Sequence, residues 1–203
     1  PIFSNALPYG DATPNRVGLF VDGFYKHKKK YFNINFNTSF FSEVIGQGTP
    51  RKRTFLTFSQ WTKVNLNELF NQRKEFNFSL GYRNQITNRE GDSIESINLN
   101  STHIDFKIEK ELLEKVYFNF STKRIKAIGN EYLVSRDDFD EILTFQEVNY
   151  NRTDYLHALG IKYQFKRDVY IDVQYNLWGS EFNFANFNDF DFQRVIFIFS
   201  IKL

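Results

Sequence analysis

Alternation of apolar and polar side chains is the feature of this sequence that most limits how the chain can fold. In residues 31–41, YFNINFNTSFF, the apolar Phe32, Ile34 and Phe36 alternate with asparagines. Successive side chains of a β-strand point to opposite faces, so the pattern predicts a strand with one apolar and one polar face. The same alternation recurs in residues 16–25, 53–70, 75–85, 101–111, 115–123, 154–165, 169–178 and 191–203. The sequence therefore predicts an all-β chain with about nine strands.

The connections between these segments predict an antiparallel, up-and-down order. Four are predicted as tight turns, at 26–30, 71–74, 112–115 and 166–168. Four are predicted as longer loops rich in Gly, Asn, Asp and Ser, at 45–52, 87–96, 129–142 and 179–189. Because the two kinds alternate along the chain, every tight turn is expected at one end of the sheet and every long loop at the other.

Two folds share this pattern: a soluble barrel or sandwich with its apolar face inside, and a transmembrane barrel with its apolar face on lipid. The predicted strands are about ten residues long or longer, which suits a tilted membrane span better than the five or six residues of a typical soluble strand. Aromatic residues near strand ends suit interfacial girdles; they are Tyr25, Tyr31, Phe70, Tyr82, Phe165 and Trp178. We therefore predict an antiparallel transmembrane β-barrel with a polar lumen.

The composition of the chain argues against several other classes of protein and of binding site. The chain has 203 residues, enough for one large all-β domain. It has no cysteine, which excludes disulfides and thiolate metal sites. The net charge of +2 and the lack of a long basic block argue against nucleic acid as a partner, and the basic run at 26–30 is expected to be a solvated turn. No apolar stretch is long enough for a transmembrane helix.

The last strand carries a family resemblance. In RVIFIFSIKL, residues 194–203, the apolar Phe197, Phe199, Ile201 and Leu203 occupy alternate positions. The segment resembles the C-terminal signal by which the barrel-assembly machinery recognises bacterial outer-membrane proteins, although that signal usually ends in Phe and often contains Gly. The richness in Asn, Lys, Ile and Phe is similar to that of outer-membrane proteins of Bacteroidota. The resemblance implies a porin-like protein of the Gram-negative outer membrane, in contact with its lipid, with periplasmic short turns and extracellular long loops.

The predicted polar faces carry the candidate pore residues. They are Glu43, Lys63, Arg83, His103, Asp105, Lys107, Lys123, Lys162, Asp172 and Arg194. These charges could line a path for solutes, or they could pair across strands and fill the lumen. Arg194 and Asp172, on adjacent predicted strands, are one candidate pair.

Catalytic and metal chemistry have little support. His103 and Asp105 share a predicted face, but no nucleophile motif accompanies them, so we expect no enzyme activity. The acidic run RDDFDE at 136–141 lacks the spacing and glycine of a calcium loop, and we expect a solvated loop tip there. No cofactor is expected.

The function predicted from these features is a porin-like channel for the passage of small solutes. The alternative is a non-conducting barrel subunit, a scaffold for secretion or surface adhesion through loops 45–52, 129–151 and 179–190. Exposed aromatic residues in the last of these loops, Phe182, Phe184 and Phe187, would then contact other outer-membrane or surface proteins.

Strand direction leads to an expectation about the size of the barrel. With a periplasmic C-terminus, alternation makes segment 16–25 begin outside the cell, so residues 1–15, with their three prolines, are expected to form an extracellular loop. Residues 16–203 would supply the barrel strands. Because bacterial barrels have even strand numbers, we expect the nine strands to belong to a larger barrel with further strands encoded upstream.

Overall fold

The computed structural model describes residues 15–46, 51–91, 96–136, 142–166, 169–182 and 189–201, with backbone alone at 131–136, 142–148, 150 and 166. The all-β prediction is confirmed. The nine strands are β1 Arg16–Lys26, β2 Phe32–Glu43, β3 Thr54–Asn65, β4 Phe76–Arg89, β5 Ile97–Leu113, β6 Val116–Arg136, β7 Ile142–Lys166, β8 Val169–Phe182 and β9 Phe190–Ile201.

The strands form one up-and-down sheet. Each pairs antiparallel with the next along the chain, in the order β1 to β9. Within the described ranges β1 and β9 are edge strands and do not pair with one another, so the sheet is open. Since neighbours alternate in direction, β1 and β9 run the same way, and joining them directly would create a parallel pair. The arrangement is compatible with a β-barrel.

The connection after β3 corrects the predicted strand 53–70. The strand ends at Asn65, and Leu66–Leu69 form the short helix α1, closed by a hydrogen bond from the Phe70 amide to the Leu66 carbonyl (2.9 Å). Asn71 then takes a left-handed backbone conformation that turns the chain into β4.

None of the helices among the described residues has the length and apolar character needed to cross a membrane.

Strands β6 and β7 are much longer than predicted, at 21 and 25 residues. They pair along their whole length, with a register shift at Ser135 and Arg136. Most of the predicted loop at 129–142, and of the interval 129–151 proposed as a contact loop, is therefore a paired hairpin. The strict alternation of tight and long connections is also wrong, because the link from β3 to β4 (66–75) is as long as the link from β2 to β3 (44–53).

Strand register sorts the side chains onto two faces. Residues paired across an antiparallel ladder share a face, so the pairs Leu19–Phe40 and Phe40–Leu56 begin a face that continues to Phe197 on β9. We call this the apolar face. The alternate residues form the polar face. We call the end of the sheet with the β1–β2, β3–β4, β5–β6 and β7–β8 connections the short-turn end, and the other the long-loop end.

Burial of the two faces is the reverse of that in a soluble protein. Large apolar side chains on the apolar face are exposed, with Phe197 at 76% and Leu19 at 75%. The polar face holds most of the buried residues, and these are mainly polar or charged, such as Glu43, Ser101 and Asp172. No second layer covers the polar face in the described ranges, so its side chains bury one another, which requires the sheet to curl towards that face.

Three glycines lie directly opposite large aromatic residues on neighbouring strands. The pairs are Gly23–Phe36, Gly81–Trp61 and Gly179–Tyr155. In each, an added Cβ would approach the aromatic ring to 2.1–2.4 Å. The rings therefore lie flat over backbone that carries no side chain, an arrangement that fixes strand register.

Candidate functional site

The predicted pore residues all lie on the polar face. The register pairs Arg83 with His103, Asp105 with Lys123 and Lys162 with Asp172. The other members occupy the same face elsewhere: Glu43 opposite Arg16, Lys63 opposite Ser79, Lys107 opposite Ser121 and Arg194 opposite Asn176. They share a face without converging on one point.

Several of these charges form ion pairs. The Lys123 ammonium lies 3.5 Å from the Asp105 carboxylate, and Lys107 lies 3.3 Å from Glu109, on the same strand. The hypothesis that Arg194 pairs with Asp172 is wrong. Arg194 faces Asn176, whereas Asp172 faces Ile198 farther along β9.

His103 does not form the dyad with Asp105 that its position suggested. Its Nε2 contacts the hydroxyl of Ser101 at 3.3 Å, while Asp105 pairs with Lys123. His157 lies on the apolar face, where its Nδ1 is 2.9 Å from the Thr122 hydroxyl. Among the described residues no group of His, Asp or Glu side chains is arranged to hold a metal ion; most of the acidic run at 136–141 lies outside them.

Two buried charge networks at the long-loop end were missed by sequence reasoning. The Arg53 guanidinium donates to Glu43 Oε1 at 2.7 Å, and its backbone amide donates to Oε2 at 2.9 Å, with both side chains almost fully buried. Arg152 donates to Asp154 at 2.7 Å, and the Ser180 hydroxyl also donates to that carboxylate. Glu43 and Arg53 lie at the two ends of the link between β2 and β3. Opposite charges at the two ends of a predicted loop are the sequence signal that could have indicated this ion pair.

A small apolar cluster lies beside these networks. Phe55, Ile97, Leu99, Ile125 and Ala127 are the buried hydrophobic residues of the described chain, and the register places all of them on the polar face towards the long-loop end. Arg16 covers the Phe55 ring, with its guanidinium carbon 3.6 Å from the ring centre. The polar face is therefore filled at this end.

A cavity of about 400 Å³ opens at the other end of the same face. It lies among β5, β6, β7 and β8 near their short turns, and it brings together three of the predicted residues, Lys107, Lys162 and Asp172. Its lining also includes Glu109, Asn119, Gly160, Tyr170 and Gln174. This cavity is the candidate functional site.

Charges in the cavity are held in place by neighbours. The Lys162 ammonium lies over the rings of Tyr117 and Tyr170, at 4.7 and 5.8 Å. The Gln174 amide donates to Asp172 Oδ2 at 2.6 Å. The second oxygen of Asp172 and the Asn119 side-chain oxygen are buried and accept no hydrogen bond from any described residue. These two acceptors are unsatisfied polar atoms of residues that line the cavity.

The remaining predicted residues lie away from the cavity. Phe197, Phe199 and Ile201 of the proposed assembly signal project from the exposed apolar face of β9, and Leu203 lies outside the described residues.

Two predicted aromatic positions need correction. Phe182 is the last residue of β8, so it is not in a loop; its ring lies near the Phe190 ring and the Arg152 guanidinium. Phe184 and Phe187 lie outside the described residues. Trp178, predicted for a lipid-side girdle, is on the polar face opposite Leu156, because its place in the alternation matches the polar positions of β8.

Comparison of the chain with protein-family models, with curated proteins and with solved structures finds no match.

Proposed function

We propose that this chain forms the wall of an outer-membrane β-barrel that allows small solutes to pass. The observation that carries the proposal is the reversed burial of the sheet, with exposed Phe, Leu, Ile and Val on one face and buried polar groups on the other. In water such a surface would drive association. In a bilayer the same surface is solvated by acyl chains, and the strands satisfy one another's backbone groups.

The apolar surface has the form of a band. On β5 the apolar face has Lys110 at the short-turn end, then the apolar Ile108, Phe106 and Ile104, and then Thr102, Asn100 and Asn98. On β6 it starts with Phe118 and Phe120 and continues with Thr122, Arg124 and Lys126, followed by the apolar Ile128. A lipid-facing band of limited height, about 25 Å, is the pattern of outer-membrane barrels. The ends of β6 and β7 would then project beyond the membrane on the long-loop side.

The polar face would line the lumen. Its ion pairs and its open cavity provide a wet, charged surface of the kind that small-solute pores use. The proposal also requires that the edges of β1 and β9 be hydrogen-bonded in the membrane, since unpaired backbone groups are costly in hydrocarbon.

A second function is favoured by one observation. The apolar cluster around Ile125 and the buried pair Glu43–Arg53 fill the polar face at the long-loop end. A lumen filled there would not conduct, and the barrel would serve as a scaffold for a secretion or adhesion assembly.

Planar-bilayer recording distinguishes these functions. The protein is first refolded in detergent and tested for heat-modifiable migration on a gel, which reports a folded barrel. Steady ohmic steps after insertion are the expected result for a channel. Heat-modifiable protein that inserts but stays silent would indicate the scaffold, and failure to fold into lipid or detergent would contradict the membrane proposal itself.

A further inference from the structure

We propose that the cavity near the short turns recognises a neutral, hydroxyl-rich solute, such as a polyol or a small saccharide. The inference rests on the proposed function, because it names the class of solute that the polar face would select. Its starting point is the pair of acceptors Asp172 Oδ1 and Asn119 Oδ1, which are buried in the cavity wall and have no hydrogen-bond partner in the part of the chain that the structure describes. Asp172 is 7% exposed. A buried acceptor without a donor is unfavourable, so a ligand that supplies donors is favoured there.

The neighbouring protein donors are already engaged. Gln174 donates to the other oxygen of Asp172. The Lys162 ammonium is held over two tyrosine rings, and Lys107 is paired with Glu109. Since none of these described donors reaches the two free oxygens, a bound molecule that carries donors would satisfy them.

The described lining of the cavity has no net attraction for ions of one sign. Two lysines and two carboxylates line the cavity, and their formal charges cancel. A cation would be attracted by Asp172 and Glu109 but repelled by the two lysines, and an anion would meet the reverse, so neither gains a clear advantage over a neutral solute. A hydroxyl group can donate to the two free acceptors and also accept from the Lys107 ammonium, whose side chain is 48% exposed.

The size and shape of the cavity support the same class of solute. The volume of about 400 Å³ lies within the range of small-molecule sites. Gly160 forms part of the wall, and a Cβ there would lie 3.1 Å from Gln174 Cγ and 3.4 Å from Asp172 Oδ1. A larger side chain at position 160 would therefore crowd this part of the wall, beside the free carboxylate oxygen.

Equilibrium binding tests the inference without requiring conductance. Sucrose and sorbitol are titrated into the folded protein in detergent, and saturation-transfer difference NMR reports contact. We expect saturable binding of at least one of them. Asn119→Leu, which removes one acceptor, should weaken it about tenfold, the effect of losing roughly one buried hydrogen bond, and Gly160→Ala should also weaken it. Gln85→Leu, on the polar face outside the cavity, is the matched control and should bind as the unchanged protein does.

Each outcome has a separate meaning. Every variant must first show the heat-modifiable migration of the folded protein. Saturable binding by a silent barrel would support the inference and contradict only the channel. Three results would overturn the inference and leave the proposed channel function intact. They are conductance without polyol binding, binding of spermidine in place of the polyols, and equal binding by the Asn119→Leu, Gly160→Ala and control variants.

Discussion

Tyr155 donates a hydrogen bond from its hydroxyl to the carboxylate of Asp191, at 2.7 Å, across the full width of the intervening strand β8. The ring lies over Gly179, its partner on β8, and Gly179 is in turn opposite Asp191 on β9. A Cβ at position 179 would lie 2.4 Å from the tyrosine ring. Because Gly179 has no side chain, the Tyr155 ring can lie across β8 and link β7 to β9 through its hydrogen bond to Asp191.

Replacing Gly179 should remove this link between β7 and β9. Gly179→Val would displace the Tyr155 ring and break its hydrogen bond to Asp191, although valine by itself suits a strand better than glycine. We expect a lower urea midpoint for unfolding from lipid vesicles, and a larger drop than Tyr155→Phe causes. In a Tyr155→Ala background the valine should be neutral or stabilising. An equal drop in the urea midpoint in the unchanged protein and in the Tyr155→Ala background would show that the placement of the Tyr155 ring does not depend on Gly179.

The exposed position of Phe197 on the apolar face gives a second prediction. Phe197→Arg places a charge in the apolar band and should cost about 2–4 kcal/mol of unfolding free energy in a bilayer. Ser200→Arg, on the polar face of the same strand, should cost far less. Titrations with urea in vesicles of fixed composition measure both. If the two arginines cost the same, the assignment of the faces to lipid and lumen would be wrong.

Much of the fold follows from local pattern. Alternation identified all nine strands and put Lys107, Asp172 and the other candidate pore residues on one face, because side-chain direction has a period of two wherever the chain is extended. The lengths of β6 and β7 could not be predicted from this local pattern. Residues 129–136 and 142–151 contain polar and glycine positions typical of loops, and their strand character depends on pairing with one another.

The candidate site depended on register, which the sequence does not encode locally. That Lys162 meets Asp172, or that Arg194 meets Asn176, depends on how far one strand slides along the next. The same holds for the free oxygen of Asn119, which is recognisable only once its neighbours are placed. Sequence reasoning could therefore assign residues to a face but could not assemble them into a cavity.

The buried pair Glu43–Arg53 gives a third prediction. Glu43→Ala removes the carboxylate to which the buried Arg53 donates, and loss of one member of such a pair typically costs about 3–5 kcal/mol. Asp105→Ala breaks the more exposed contact with Lys123 and should cost about 0–1 kcal/mol. Urea unfolding of the two variants in lipid provides the comparison. Similar losses for both would mean that burial does not strengthen the first pair.

Orientation in the membrane gives the last prediction. If the long-loop end faces outwards, trypsin added to intact cells should cut after Arg51 or Lys52, which are exposed in the link between β2 and β3. It should spare Arg73, equally exposed but at the short-turn end. Arg89 also lies at the long-loop end, yet it is 5% exposed, so it should resist cleavage and serve as a control for accessibility. Mass spectrometry of the fragments identifies the sites, and permeabilised cells should add cleavage at Arg73. Cleavage at Arg73 in intact cells, with Arg51 and Lys52 spared, would reverse the orientation.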